Sequence, residues 1–290
     1  MATRTLRVAA LQEKAMPRAS IKEKMEQRTL PLIEEASKKG AQIILATELC
    51  TTDYDRCYGQ KDNDLFKEAE TIPGYSTNEV AKLTKKYGNY VIFPLFEKAH
   101  PGIYYNSSAT IGPEGTIVGT YRKTQVAGVQ ALEKMYFRAG QDFKVHETTF
   151  EPYAKFGTII CHDRRYPETA RILAMLGAEV MFCPTAAPGY AHGVHWSNLN
   201  VMRAVDNGMF CVYSNRIGKE GVNDYFGESM IVDPMGEIIA TGGKQENAVI
   251  MADLDLAKVD EARIKVPTLR DMRGEFWMKY YNPTYDALVG

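Results

Sequence analysis

The chain has 290 residues, 45% hydrophobic and 24% charged, which is typical of a globular protein with ample material for a core. The formal net charge is only -1, so no general positive field exists to attract nucleic acid or anionic lipid. The amino terminus lacks an apolar signal core, and no apolar run approaches the length of a membrane span. We therefore expect one cytoplasmic domain over residues 1–290 that binds neither nucleic acid nor a membrane.

Apolar runs bounded by turn residues predict strands alternating with amphipathic helices. The predicted strands are, in chain order, 6–12, 41–48, 89–97, 103–111, 116–122, 155–161, 178–185, 209–216, 229–233, 237–242 and 247–255. The predicted helices are 21–39, 77–87, 167–177, 196–206 and 256–264. Hairpins occur together with crossovers, so the pattern predicts an α/β protein in which helix layers pack on sheets.

The cysteines argue against a disulfide framework or a zinc ribbon, because their number is odd and no pair has C-x-x-C spacing. They are Cys50, Cys57, Cys161, Cys183 and Cys211. The segment Asn106-Ser107-Ser108 matches a glycosylation acceptor, but without a secretory signal we interpret the match as accidental. We expect most of the thiols to be buried.

Three predicted strands lead to a residue that could take part in catalysis: Glu48 and Cys161 each end a strand, and Lys123 directly follows one. Attack of a thiol on an amide needs a base to take the thiol proton and fixed positive donors for the oxyanion. Glu48 suits the base and Lys123 suits the oxyanion site. Taken singly, Cys161 could be a buried apolar thiol, Glu48 a strand-ending carboxylate and Lys123 a solvated charge.

The position of Cys161 also leads to an electrostatic prediction. Cys161 precedes Pro167 and Glu168, which have the character of a first helical turn. The positive end of a helix dipole lowers the pKa of a nearby thiol. We therefore expect Cys161 to favour the thiolate.

Several segments together resemble the nitrilase superfamily, whose hallmark is a Glu, Lys, Cys set. They are ILATEL around Glu48, YRKTQV around Lys123, LEKMYFRAG around Glu133, GTIICHDRRYPE around Cys161, RAVDNGMFCVYSNRIG, GESMIVDPMGEIIA and ADLDL. The resemblance extends from about Arg7 to about Phe276 and implies a four-layer αββα sandwich.

The resemblance also implies a role for each matching residue. Glu48 would be the general base and Cys161 the nucleophile. Lys123 and the backbone N–H of His162 would stabilise the oxyanion, and Glu133 would orient Lys123 and the leaving group. A buried lysine needs carboxylate neighbours to stay charged, which agrees with this assignment. No cofactor is implied.

Two adjacent arginines, Arg164 and Arg165, follow the nucleophile motif directly. A guanidinium can bind a substrate carboxylate through two hydrogen bonds, although either arginine could instead form an ion pair with Asp163 or Glu168. CHDRRYPET and LEKMYFRAG resemble N-carbamoyl-D-amino acid amidohydrolases. CPTAAPGYAHGVHW and RDMRGEF are closer to carbamoylputrescine amidases and general amidases, and members acting on cationic carbamoylputrescine tend to have neutral residues at the arginine pair.

His192 and His195 are three residues apart, a spacing that could ligate a metal on one helix face. The surrounding residues predict a loop with no partner ligand at motif spacing, so we expect these histidines to border the substrate pocket and no metal to be bound. The aromatic tail at about 265–290 is expected to lie in the interface of a homodimer or larger homo-oligomer.

Taken together, these features predict a cysteine amidohydrolase that cleaves a small N-carbamoyl compound, with an N-carbamoyl amino acid as the first candidate. A thioester-type intermediate would lead to ammonia, carbon dioxide and the amine. The alternatives are a carbamoylputrescine amidase, an aliphatic or ω-amidase, a nitrilase, and an inactive binding subunit.

Overall fold

The computed structural model describes residues 4–128, 130–191 and 193–289. In these ranges the strands are β1 (Thr5–Gln12), β2 (Ile43–Leu45), β3 (Tyr90–His100), β4 (Ile103–Ile111), β5 (Ile117–Arg122), β6 (Val145–Glu147), β7 (Lys155–Thr158), β8 (Val180–Pro184), β9 (Phe210–Ser214), β10 (Ile217–Glu220), β11 (Asn223–Phe226), β12 (Met230–Val232), β13 (Ile238–Thr241) and β14 (Ala248–Asp255). The α-helices are α1 (Ile21–Lys24), α2 (Leu30–Lys38), α3 (Tyr75–Tyr87), α4 (Pro167–Met175), α5 (Ser197–Asn207), α6 (Ala257–Lys265) and α7 (Gly274–Val289).

The strands form two six-stranded sheets and one small hairpin. The first sheet has the order β14-β1-β2-β3-β4-β5, and the second has the order β13-β12-β9-β8-β7-β6. Strands β1, β2 and β3 are parallel, as are β7, β8 and β9. Strands β10 and β11 form the hairpin.

The two large sheets pack face to face, and helices cover their outer faces. Between the sheets, Val8 and Ile43 of the first pack with Phe182 of the second. Helices α2 and α3 cover the first sheet, and α4 and α5 cover the second. The predicted four-layer αββα sandwich is confirmed, and none of the helices among the described residues is long and apolar enough to cross a membrane.

The apolar runs seen in the sequence arise because the central strands are buried on both faces. In β1, Val8 and Ala10 face the second sheet, whereas Ala9 and Leu11 face the helices. All four side chains are completely buried. A strand of this kind shows no alternation of polar and apolar residues, which is why the sequence predicts it as a continuous run.

Two strands end three residues earlier than predicted, and both lead into the candidate site. Strand β2 ends at Leu45 rather than at Glu48, and β7 ends at Thr158 rather than at Cys161. After each of these strands the backbone leaves the sheet and soon reaches a residue in the left-handed conformation. These residues are Leu49 with φ 46° and Cys161 with φ 42°. Extended strand geometry is incompatible with these turns, which a residue pattern does not reveal.

Helix α7 forms most of the predicted interface tail and presents large apolar side chains to solvent. These are Phe276, Trp277, Met278, Tyr280, Tyr281, Tyr285 and Leu288. One contact of the helix with the rest of the chain is a hydrogen bond from the Tyr281 hydroxyl to the Glu168 carboxylate. So many exposed apolar residues on one helix are typical of a surface that binds a partner.

The exposed apolar surface of α7 is consistent with the predicted homo-oligomer, which stays a prediction. We expect the intact chain to sediment as a dimer or larger species at micromolar concentration, and truncation after Arg273 to reduce its mass, because the truncation removes α7. Val222→Ala, which changes an exposed apolar residue of the β10–β11 hairpin, is the control and should leave the mass unchanged. A monomeric intact chain would contradict the prediction.

Candidate active site

Lys123 is the central charge of the candidate site and is completely buried. It directly follows β5, and its Nζ donates to Glu48 Oε1 at 2.7 Å and to Glu133 Oε1 at 2.8 Å. Burial opposes the ammonium charge, but the two carboxylates outweigh burial and hold the pKa of Lys123 well above its usual value. An ammonium has three N–H donors, so the third is available to a substrate atom.

The backbone around Lys123 is held tightly. Its N–H donates to the Asn106 carbonyl at 2.9 Å, and its carbonyl accepts from the Gly140 N–H at 2.8 Å. A Cβ at residue 140 would lie 2.1 Å from the Arg122 carbonyl oxygen, so only glycine lets the two segments cross here. The crossing fixes the direction in which the lysine side chain leaves the backbone.

Glu48 receives hydrogen bonds on both carboxylate oxygens and is completely buried. Besides Lys123, Oε1 accepts from Asn106 Nδ2 at 2.8 Å, and Oε2 accepts from the Ala186 N–H at 3.0 Å. Burial raises the pKa of Glu48, but Lys123 and these hydrogen bonds, together with one involving the Cys161 thiol, outweigh burial and lower it. Glu48 is therefore a charged carboxylate beside the thiol at neutral pH, as a general base must be.

Glu133 is the second carboxylate on Lys123. Its Oε1 also accepts from the Tyr54 hydroxyl, and its Oε2 accepts from the Ala127 N–H at 2.9 Å. It begins a short 3₁₀ helix, Glu133–Met135, and is completely buried. These contacts leave Glu133 little freedom, so it holds Lys123 in one orientation.

Cys161 begins the 3₁₀ helix Cys161–Arg165 in a left-handed backbone conformation. Such a conformation costs about 1–3 kcal/mol for a residue with a Cβ and is concentrated at functional sites. N–H groups in the first turn of a helix have no intrahelical acceptor, which leaves the His162 N–H available to a substrate oxygen beside the thiol. The turn therefore presents a nucleophile and a donor together.

The predicted preference of Cys161 for the thiolate is wrong. Burial, and then the negative charge of Glu48, raise the pKa of the Cys161 thiol to about 12. Helix α4 begins only at Pro167, six residues further on, so its dipole is too distant to offset these effects. The resting site therefore combines a neutral Cys161 thiol with a charged Glu48 carboxylate.

The site lies between the two sheets, beside a cavity of about 340 Å³. The first sheet supplies Glu48 and Lys123 from the ends of β2 and β5, and the second supplies Cys161 from the end of β7. The residues that line the cavity are Tyr54, Tyr58, Ala127, Gln130, Ala131, Cys161, His162, Arg164, Arg165, Ala186, Ala187, Pro188, Ala191 and His195. The cavity is thus large enough for a small molecule that reaches the thiol.

Both arginines line this cavity, but only Arg164 is buried. Its Nε donates to Asn200 Oδ1 and its Nη1 to the Cys161 carbonyl, both at 3.0 Å, and its guanidinium stacks on Trp196. Among the described residues, Arg164 Nη2 has no hydrogen-bond partner, and no carboxylate forms an ion pair with either arginine. The structural alternative, an ion pair with Asp163 or Glu168, is therefore absent from the described part of the chain.

Two of the three candidate histidines can be placed at the cavity. His162 and His195 line the cavity, whereas His192 is outside the described residues. Burial, and then the positive charge of Lys123, lower the pKa of His162 to about 4, so its ring is neutral at neutral pH. Within the described ranges, no three His, Cys, Asp or Glu side chains are grouped as metal ligands.

Several contributors to the site were missed by sequence reasoning. In the sequence Asn106 shows only an accidental glycosylation match, but its buried side chain donates a hydrogen bond to Glu48. Tyr54 binds Glu133, and the Ala186 N–H binds Glu48. An alanine carries no side-chain signal, so the last contact is invisible in sequence. The place of Asn106 could have been inferred from the sequence, because Asn106 lies on the strand that pairs with the one before Lys123 in the same predicted hairpin.

Fold and site together define a class of protein. A buried carboxylate, an ammonium and a thiol converge at the strand ends of an αββα sandwich, an arrangement suited to nucleophilic attack on an amide. The model of the carbon-nitrogen hydrolase family matches residues 7–264. The chain belongs to this family, and its resemblance to the nitrilase superfamily is thereby confirmed, although the match ends before the expected boundary near Phe276.

Relatives with known names agree with that assignment. The chain is 37% identical to N-carbamoylputrescine amidase of Solanum lycopersicum, over 85% of this chain and 86% of that one. It is 33% identical to omega-amidase NIT2 of Xenopus tropicalis, over 86% and 90%. The crystal structure of a carbon-nitrogen hydrolase from Helicobacter pylori G27 superposes with a TM-score of 0.86 at 28% identity, over 96% and 98%.

The thiol's electrostatics can be tested without substrate. Glu48→Gln removes the negative charge that helps to raise the pKa of Cys161, so we expect this variant to form the thiolate at lower pH than the wild type. The measurement is thiolate absorbance during alkaline titration. Cys161→Ala is the control, because burial also raises the pKa of the other four thiols. An unchanged titration curve would contradict the assigned contact between the Glu48 carboxylate and the Cys161 thiol.

Proposed function

We propose that this protein hydrolyses a C–N bond of a small amide or N-carbamoyl compound through a covalent intermediate on Cys161. The observation that carries the proposal is the pairing of a charged Glu48 with a neutral Cys161 thiol, beside a Lys123 ammonium that has one donor to spare. These groups supply the base, the nucleophile and the oxyanion donor that amide hydrolysis needs.

In the first half of the reaction, Glu48 takes the thiol proton as the sulfur attacks the carbonyl carbon. The oxyanion accepts hydrogen bonds from Lys123 Nζ and the His162 N–H. Glu48 then passes the proton to the departing nitrogen, the C–N bond breaks, and a thioester-type intermediate remains on Cys161. Glu133 keeps Lys123 oriented during these steps.

In the second half, water enters where the nitrogen compound departed. Glu48 takes a proton from the water, hydroxide attacks the thioester carbon, and the sulfur leaves and recovers its proton from Glu48. An amide gives a carboxylic acid, whereas a carbamoyl compound gives a carbamic acid that decays to carbon dioxide and the amine. The net reaction consumes one water, and Glu48 carries both transferred protons, the thiol proton to the departing nitrogen and a water proton back to the sulfur, so no cofactor is required.

We further propose that the substrate carries a carboxylate close to the scissile group. Arg164 is a buried guanidinium with an unpartnered N–H group, and Nη1 on the same guanidinium bonds to the carbonyl of Cys161 itself. A buried cation without a counter-charge is costly, so an anionic ligand would be stabilised strongly there. This favours an N-carbamoyl amino acid, with Arg164 rather than the half-exposed Arg165 as the main contact.

A second candidate is the substrate type of the relatives. N-carbamoylputrescine amidase and omega-amidase are the names of similar proteins. A cationic carbamoylputrescine chain needs a carboxylate, but the described residues that line the cavity include two arginines and neither Asp nor Glu. An ω-amide that also bears a carboxylate would fit Arg164 as well as an N-carbamoyl amino acid does.

The nucleophile has a direct test. Cys161→Ala should abolish ammonia release from a panel of amides and carbamoyl compounds, since Cys161 is the only thiol among the described residues that line the cavity. Cys211→Ala is the matched control, because Cys211 is also a buried thiol but lies within β9, and it should retain activity. Near wild-type turnover by Cys161→Ala would overturn the mechanism, and an inactive wild type would favour a binding subunit.

Substrate charge is tested by comparing Arg164→Ala with Arg165→Ala on N-carbamoyl-alanine, N-carbamoyl-alaninamide and carbamoylputrescine. Truncating one partner of a desolvated charge pair costs about 2–5 kcal/mol, and each 1.4 kcal/mol is about tenfold in kcat/KM. We expect Arg164→Ala to lose far more activity on N-carbamoyl-alanine than on its amide. Equal losses on all three substrates would show a purely structural arginine, and wild-type preference for carbamoylputrescine would support the second candidate.

A further inference from the structure

Besides Glu48 and Glu133, a further carboxylate near the site is completely buried: Asp163, two residues after Cys161. It is the residue that could have formed an ion pair with the arginines, yet no ion pair joins it to Arg or Lys within the described residues. All of its side-chain partners are uncharged donors. Burial raises the pKa of Asp163 to about 6, so the charged form is held at an energetic cost that hydrogen bonds partly offset.

Each oxygen of Asp163 connects to a different set of donors. Oδ2 accepts from the Ile160 N–H, directly before the nucleophile, and from the Tyr121 hydroxyl, both at 2.8 Å. Oδ1 accepts from the Gln125 N–H at 2.7 Å and from Thr124 Oγ1 at 3.0 Å. Four donors therefore surround one carboxylate.

These donors belong to the two halves of the sandwich. Tyr121 lies in β5, and Thr124 and Gln125 directly follow Lys123, so three donors come from the segment that carries the oxyanion lysine. Ile160 belongs to the turn after β7 that carries Cys161. Strands β5 and β7 belong to different sheets, and these bonds are therefore a direct link between the lysine segment and the nucleophile turn.

We propose that Asp163 is a positioning residue that sets the placement of Lys123 relative to Cys161 by binding the segments on either side of the cavity. The proposal rests on the roles assigned above to Cys161 and Lys123. A displacement of about 1 Å at a reacting group can cost about a hundredfold in rate, so a rigid link between nucleophile and oxyanion donor has a large effect on catalysis. Asp163 itself does not touch the substrate.

The test is Asp163→Asn, with Tyr121→Phe and Thr124→Val as milder variants. Asparagine keeps the shape but turns an NH₂ group toward two donors, so both bonds at one oxygen are lost. The two milder variants each remove one side-chain donor and leave the backbone bonds intact. Asp233→Asn is the matched control, because Asp233 is also buried and accepts two backbone N–H groups, Met235 and Glu237, in a turn away from the site.

Each variant is measured for kcat and KM on an amide or carbamoyl substrate, for thermal unfolding, and for the rate at which iodoacetamide alkylates Cys161. We expect Asp163→Asn to lower kcat by about tenfold to a hundredfold with little change in KM, because alignment matters most in the transition state. Tyr121→Phe and Thr124→Val should lose several-fold, and Cys161 alkylation should slow in the same order. Asp233→Asn should keep its kcat even if its unfolding temperature falls.

A kcat for Asp163→Asn within twofold of the control would overturn the proposal. If Asp163→Asn does not fold, unchanged kcat in both Tyr121→Phe and Thr124→Val would overturn it equally. Failure of the proposed function looks different, because the wild type would then release no ammonia from any substrate. In that case alkylation of Cys161 alone decides whether Asp163 positions the nucleophile turn, since this reaction needs no substrate.

Discussion

The buried ammonium of Lys123, held between Glu48 and Glu133, is the interaction on which the rest of the site depends. A lone ammonium in this position would lose its proton, and two carboxylates without it would repel each other. With both carboxylates present, the lysine stays charged and Glu48 stays ionised beside the thiol. One ion cluster thus keeps both the proposed oxyanion donor and the proposed base charged, and the stability of the surrounding sandwich offsets the cost of burying it.

The site as a whole is built from two sheets. Glu48 and Lys123 follow strands of the first sheet and Cys161 follows a strand of the second, so packing between the sheets brings the Glu48 carboxylate and the Cys161 thiol together. Contacts across this boundary are numerous: the Ala186 N–H binds Glu48, and the Ser214 hydroxyl binds the Ala46 carbonyl. The packing of the core between the two sheets therefore also sets the alignment of the site residues.

Continuous apolar runs predicted an α/β protein because its central strands are buried on both faces, and the ends of those runs pointed to Glu48, Lys123 and Cys161. The four-layer sandwich and the place of Glu133 came from the resemblance to the nitrilase superfamily. The sequence did not predict the shortened β2 and β7 or the pKa of Cys161. Those depend on the left-handed turns and on the burial of Cys161 beside Glu48, which only the folded chain creates. The Arg164 environment was equally hidden, since Asn200 and Trp196 are more than 30 residues away in the chain.

The central claim is that a neutral Cys161 thiol becomes covalently attached to the carbonyl fragment of the substrate when Glu48 accepts its proton. Rapid acid quenching during turnover, followed by peptide mass spectrometry, tests this most directly. The peptide containing Cys161 should gain the mass of the carbonyl-containing fragment of the substrate, and Glu48→Gln should accumulate little of this species. Rapid turnover by the wild type with no such adduct on Cys161 would rule out covalent catalysis by this thiol.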